Sequence, residues 1–160
     1  MEKISDITKL REIAKNIRKG IIEAVYSGKS GHPGGSLSIA DIMTVLYFYE
    51  MNINPEKPKD ENRDRLVLSK GHCAPALYAT LANRGFFNKK ELSTLRKIDS
   101  NLQGHPDMNK VPGVDMTTGS LGQGISVATG MAMAGKLDNK PYRVYCIMGD
   151  GEIEEGQVWE

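Results

Sequence analysis

The sequence predicts an α/β domain with a mainly parallel sheet flanked by helices, and three observations carry that prediction. Leu66-Val67-Leu68 and Val144-Tyr145-Cys146-Ile147-Met148 are short, unbroken apolar runs, the pattern of strands covered on both faces. The interval between them holds segments of helical period, and parallel strands need such crossovers. Across 160 residues, 39% hydrophobic and 26% charged side chains suit one domain with a packed core and exclude disorder, collagen and coiled coil.

Each element has a local reason. Ile4, Ile7, Leu10, Ile13, Ile17, Ile21 and Val25 recur every three or four residues, so a helix is expected over about 6–27, with Ser5 or Asp6 as its cap and Ser27, Gly28 and Ser30 ending it. Gly31-His32-Pro33-Gly34-Gly35 reads as a shaped loop, because proline fixes its own φ and the glycines permit unusual ones. Ser38 with Asp41 is expected to cap a second helix, with Ile39, Ile42, Met43, Leu46 and Tyr49 at helical spacing up to a turn at 52–58. A third helix follows Pro75, with Tyr78 and Leu81 facing inward. Asn88 and Glu91 cap a polar one that carries Leu92 and Leu95. Residues 120–136 form a helix rich in Gly and Ala, each interior Gly costing up to about 1 kcal/mol, which implies a close approach to another backbone or a ligand. A last helix begins after Glu154. There is no repeat, linker or low-complexity stretch, and a strand running into an unfinished helix reads as part of a larger domain.

Charge and composition exclude several functions. With 21 basic and 20 acidic side chains the formal charge is +1, so no summed positive field is available for nucleic acid or an anionic membrane. Cys73 and Cys146 lie far apart and outside any CxxC pattern, which argues against a disulfide framework or structural zinc and for small buried side chains. Charged residues interleave with the apolar ones through the first 25 positions, so neither a signal peptide nor a membrane span is expected, and the location expected is cytoplasmic.

The chemistry concentrates in loops. His32, His72 and His105 each follow a glycine and none lies on a periodic apolar face. Such imidazoles can approach a ligand closely and act as donor or acceptor near neutral pH, which makes all three candidate site residues. Met148-Gly149-Asp150-Gly151 lies at the carboxyl end of a strand, where open α/β sheets bind ligands. It reads either as a simple strand-to-helix turn capped by Asp150, or as a diphosphate site. In the second reading Asp150 gives a hard oxygen to Mg²⁺ or Ca²⁺ while glycine amides face phosphate oxygens. Glu152, Glu154 and Glu155 follow; for Glu152 and Glu154 the attraction of carboxylates to a helix start is sufficient explanation. Thr117-Thr118-Gly119-Ser120-Leu121-Gly122-Gln123-Gly124 lacks the spacing of a dinucleotide fingerprint and the lysine of a P-loop. It remains a loop able to present backbone groups and Leu121 to a ring-shaped ligand.

Ser30-Gly31-His32-Pro33-Gly34, Arg63-Asp64-Arg65 through Leu68-Ser69-Lys70-Gly71-His72, Gly104-His105-Pro106, the segment 117–124 and the segment 149–160 occur in the order found in transketolases. Taken together over nearly the whole chain, they make it similar to the amino-terminal part of the transketolase thiamine diphosphate-binding domain. The short join at 136–142 resembles the split, two-subunit form of the enzyme. The resemblance implies a thiamine diphosphate-binding fold, present over residues 1–160 as an incomplete domain whose sequence stops inside the cofactor motif that begins at Gly149. It implies that His72 and the Gly151 backbone hold the cofactor phosphates, that Gly149 belongs to the cofactor site, that Asp150 is the metal ligand, and that Gly119 and Leu121 line the thiamine rings. His32 and His105 would reach the sugar substrate as catalytic residues. Glu155 would belong to the cofactor site and, with Glu160, to a carboxylate network across a subunit interface. Asp107 stands where the family usually has glutamate.

The implied activity is transfer of a two-carbon ketol unit between sugar phosphates of the pentose phosphate pathway, with thiamine diphosphate, Mg²⁺ (or Ca²⁺) and a carboxy-terminal transketolase subunit that supplies the pyrimidine-binding half. The isolated chain is then expected to be inactive. Deoxyxylulose-phosphate synthase and the first component of ketoacid dehydrogenases are the nearest alternatives, and TTGSLGQG favours transketolase over them. A non-catalytic assembly subunit would have no need of His32 and His105.

Overall fold

The computed structural model describes residues 3–160. It is α/β, with two parallel strands, β1 (Arg65–Leu68) and β2 (Val144–Ile147), in register Arg65↔Val144 to Leu68↔Ile147. Six α-helices are described: α1 (Ile7–Gly28), α2 (Pro33–Leu37), α3 (Ala40–Val45), α4 (Ala74–Arg84), α5 (Gln123–Leu137) and α6 (Gly156–Trp159).

The Asp6 carboxylate caps α1, accepting from the amides of Thr8 at 2.8 Å and Lys9 at 3.3 Å, and the helix stops where Lys29 turns left-handed. Its inner face is Ala14, Ile17, Gly20, Ile21 and Ala24, narrower than the spacing predicted, and Ile7 is exposed. Gly20 is a contact point with α4: a Cβ there would stand 3.2 Å from that of Ala79.

The segment expected as a loop after Gly31 contains α2, because Pro33 sits in the first turn, where a missing N–H costs nothing and a fixed φ suits the helix. Ser38 turns back to the Gly35 carbonyl at 2.8 Å instead of capping α3. The helical path of α3 then widens into a π-turn at Leu46–Glu50, closed by the Met51 amide on the Leu46 carbonyl at 2.8 Å. The extra residue rotates the sequence, so adjacent Tyr47 and Phe48 are buried while Ile42 and Tyr49 face outward. Asn88 and Glu91 form the expected capping box, on a 3-10 turn at Lys89–Thr94. The helix α4 is buried along almost its whole length and ends at left-handed Gly85.

Leu66 and Leu68 join the core built by α1, α3 and α4. Alternation turns Val67 to the other face, where α5 packs across both strands. Of β2 only Ile147 is buried, which departs from the fully covered strand its apolar run predicts. Two carboxylates fix the amino end of the sheet. Asp64 accepts from the amides of Asn52 and Arg143, both at 2.7 Å, and Asp115 accepts from the Leu66 amide at 2.6 Å while pairing with Arg63. No helix among the described residues is long and apolar enough to cross a membrane.

Candidate functional site

At the other end of the sheet four loops converge. After Leu68, β1 passes through Ser69 and Lys70 into a 3-10 turn at Gly71–Cys73 that carries His72. His32, immediately before α2, meets His72 edge to face, with ring centroids 5.0 Å apart. The Thr118 hydroxyl donates to the Leu68 carbonyl at 2.6 Å, and Gly71 lies so close that a Cβ there would come within 2.7 Å of the Thr118 carbonyl oxygen. Beside it a Cβ at Gly119 would stand 3.5 Å from the His105 ring. The His105 loop is held from below by the Tyr78 hydroxyl, which donates to the carbonyls of Gln103 at 3.0 Å and His105 at 3.1 Å. Burial raises the Tyr78 pKa and keeps that donor protonated.

Arg96, at φ 59°, ties two of these loops together. Its guanidinium donates to Ser30 Oγ at 2.7 Å and covers Gly104, so the approaches to His32 and His105 share one cation. Lys70 is buried; its ammonium donates to the Gly35 carbonyl at 3.2 Å and Ser38 Oγ at 3.4 Å, and its stem lies along Gly149. A cation held by neutral oxygens is suited to receive an anion. His72 titrates below the usual imidazole value, first because it is partly desolvated and then because His32, Lys70 and His105 are positive neighbours. Neither Lys70 nor Arg96 stands out in the sequence. The clue to Lys70 is its place between a buried strand and a Gly-His pair.

The carboxyl end of β2 supplies the rest. Asp150 and Gly151 are exposed, and a Cβ at Gly151 would meet nothing within 4 Å, so its backbone is open to a ligand. Glu152 turns the opposite way and is buried. One carboxylate oxygen accepts from the Ser69 hydroxyl and from the Gly122 amide at 2.9 Å, the other from the Gly149 amide at 2.9 Å. This corrects the reading of Glu152 as a helix-start carboxylate. A 3-10 turn at Glu152–Glu154 comes first, and the four-residue α6 then begins after Glu154, as expected. Gly122, at φ 80°, precedes α5, and Glu155 packs beside it, with Leu121 exposed next to it. Thus His32, His72, His105 and Gly119 lie together, and Leu121, Gly149, Asp150, Gly151 and Glu155 border the same end of the sheet. Among the described residues no three His, Cys, Asp or Glu side chains gather as a metal cluster, so Asp150 is a lone hard donor.

Two cavities bear on the location. One of about 360 Å³ opens along Met116, Thr117, Thr118, Gly119, Gln123 and Val127, at the glycine loop. A larger one, about 640 Å³, lies at the amino end of the sheet around Arg63, Arg65 and Tyr142, away from the histidines. There Arg63 is already committed to the carbonyls of Pro58 and Asp64 and to Asp115, and Arg65 lies over the Tyr142 ring, 4.6 Å from its centre. The chemistry-bearing end is the histidine end.

Comparison with known proteins identifies the family. Residues 9–160 match the family described as "Transketolase, thiamine diphosphate binding domain". The chain is 50% identical over 143 residues to an apulose-4-phosphate transketolase subunit of Phocaeicola vulgatus, covering 89% of this chain and 50% of that protein. It is 51% identical over 151 residues to a 6-deoxy-6-sulfo-D-fructose transketolase subunit of a Clostridium species, covering 94% and 55%. Human transketolase is 49% identical over 152 residues, 94% of this chain and 24% of that one. The chain therefore spans about half the length of these two subunits and about a quarter of the human enzyme. Among solved structures, transketolase from Leishmania mexicana superposes with a TM-score of 0.88 at 34% identity, over 99% of this chain and 25% of that one. With the family match running over nearly its whole length, on a backbone that superposes on a solved transketolase, the chain belongs to the transketolase family, through its thiamine diphosphate-binding domain.

Proposed function

We propose that residues 1–160 form the amino-terminal portion of the diphosphate-binding domain of a transketolase that works with a carboxy-terminal partner subunit. The assembly would transfer a two-carbon ketol unit between sugar phosphates. The observation that carries this is the convergence of His32, His72, His105 and the 117–119 loop at the end of the sheet where Asp150 and Gly151 are also exposed. The word "subunit" in the names of two relatives supports a second chain.

When bound, thiamine diphosphate supplies the carbon nucleophile that cleaves and forms the sugar carbon-carbon bond. The residues fit its charged end. Asp150 offers one hard oxygen, suited to Mg²⁺ or Ca²⁺ when diphosphate oxygens and water complete the shell, and the open Gly151 backbone can approach a phosphate. His72, with its lowered pKa, is largely neutral near pH 7, so it donates a hydrogen bond and its charge rises as an anion enters. Gly119 and Leu121 would border the thiamine rings, and Glu155, beside Gly122, would face the neighbouring subunit. His32 and His105, both exposed, would hold and move protons at the sugar carbonyl and hydroxyls. The names of the two subunit relatives widen the sugars worth testing to apulose 4-phosphate and a sulfonated fructose.

The test is an assay of the purified chain with thiamine diphosphate, Mg²⁺ and ketose and aldose phosphates, alone and then mixed with the rest of the diphosphate-binding domain and the partner subunit. Activity that appears only on mixing is the expected result. Ketol transfer by the chain alone overturns the two-subunit part, and no transfer by the mixture with any of the sugars overturns the activity.

A further inference from the structure

Glu152 is the one carboxylate of its run that is fully buried, and it does not face the open end of the site. Its two oxygens collect three donors from three separate stretches: the Ser69 hydroxyl at the end of β1, the Gly122 amide at the start of α5, and the Gly149 amide at the end of β2. Each stretch leads directly into part of the proposed cofactor site. Ser69 is followed by Lys70 and the turn of His72, Gly122 is preceded by Gly119 and Leu121, and Gly149 is followed by Asp150 and Gly151. The packing leaves no slack, since a Cβ on Gly124 would come within 2.7 Å of the Ser69 Cα. The carboxylate also lies at the amino end of the 15-residue α5, where a negative group is favoured.

We infer that Glu152 is a positioning residue for the cofactor. Without touching the cofactor, it fixes the three loops at one spacing, so that His72, the 119–121 segment and Asp150 meet the diphosphate and its metal together. The inference rests on the cofactor reading given above. A carboxylate is required because all three partners are donors. In Glu152→Gln, whichever way the amide is turned, an NH₂ group opposes at least one N–H or O–H, and a buried donor loses its acceptor.

The experiment uses the complete two-subunit enzyme. Hydrogen exchange by mass spectrometry on the cofactor-free protein should show peptides containing Gly122 and Gly149 exchanging at least about tenfold faster in Glu152→Gln, with peptides of α1 and α4 unchanged. Calorimetry should then show thiamine diphosphate, in the presence of Mg²⁺, binding about tenfold or more weakly, the scale of one lost charge-assisted hydrogen bond. The apparent KM for cofactor should rise by more than kcat falls. Ile21→Val, a core change on α1 remote from the loops, should lower the melting temperature and leave the cofactor Kd alone, which separates positioning from general stability. If Glu152→Gln does not fold, Ser69→Ala, which removes one donor and spares the other two, must still weaken cofactor binding by at least about threefold. Wild type that binds no cofactor sinks the site reading and this inference with it. Wild type that binds, beside a Glu152→Gln or Ser69→Ala variant of equal affinity, overturns the inference alone.

Discussion

His72 makes the site's electrostatics measurable. Desolvation and then the positive neighbours His32, Lys70 and His105 hold its pKa below the usual value of about 6.5, so the folded chain takes up its proton at lower pH than the unfolded chain does. Between those two values the unfolded state binds more protons, and stability must fall as pH drops from about 6.5 through the folded value. Thermal melts between pH 5 and 7 should show that loss in wild type and a flatter profile in His72→Gln; parallel profiles would remove His72 from the account. Asp150 makes a second prediction. Asp150→Asn keeps the shape and deletes the charge that offsets a divalent cation, so in the assembled enzyme thiamine diphosphate should bind more weakly and with less dependence on Mg²⁺. Equal titrations with and without the metal for both proteins would end that assignment. His32→Ala and His105→Ala should leave cofactor affinity near wild type and lower ketol transfer roughly 100-fold or more, read as kcat at saturating cofactor. At this scale the histidines are legible in the sequence because each follows a glycine outside any apolar face. Glu152 is not, because its partners Ser69 and Gly122 lie 83 and 30 residues away and nothing local distinguishes it from Glu154.

The elements show where periodicity suffices and where it misleads. The first helix, the capping box and the parallel strands follow from local pattern, and their bounds lie within a few residues of expectation. The Pro-Gly-Gly stretch reads as irregular because composition cannot distinguish a proline that breaks a helix from one that starts it. The π-turn defeats any count of three and four, since one added residue carries Tyr47 inward and Tyr49 out. The glycines of α5 make a paired test. A methyl at Gly124 would press on Ser69 Cβ at 2.5 Å and Cα at 2.7 Å, whereas Gly130 faces open space. Gly124→Ala gains helix propensity of about 1 kcal/mol but meets backbone that cannot yield, a cost of about 1–3 kcal/mol, so net destabilisation is expected. Gly130→Ala should keep the gain. Urea unfolding of both variants, compared with wild type, decides it: a stabilised Gly124→Ala would mean that Ser69 and α5 are not in close contact.

Over the whole molecule, the apolar surface is unevenly covered. Leu137, Trp159 and Met133 are 80%, 79% and 60% exposed, and among the described residues β1 and β2 pair only with each other. Unpaired strand edges and exposed large side chains favour association, so sedimentation of the purified chain should show mass rising with concentration. A constant monomer mass over a hundredfold range would contradict this. Fold class and the place of the candidate site are readable because the motifs sit at strand ends; the uneven covering is not, because exposure depends on which neighbours a helix finds. The reach of Glu152 has a further consequence, in time. The helical core of α1, α3 and α4 draws on residues up to Leu95 and a few beyond, and can gather early in synthesis. The clasp joins residues 83 positions apart, which at about 5–20 residues per second separates their emergence by roughly 4–17 s. Until β2 and Glu152 emerge, Ser69 and the turn of His72 lie at the end of a strand with no neighbour, and the site does not yet exist.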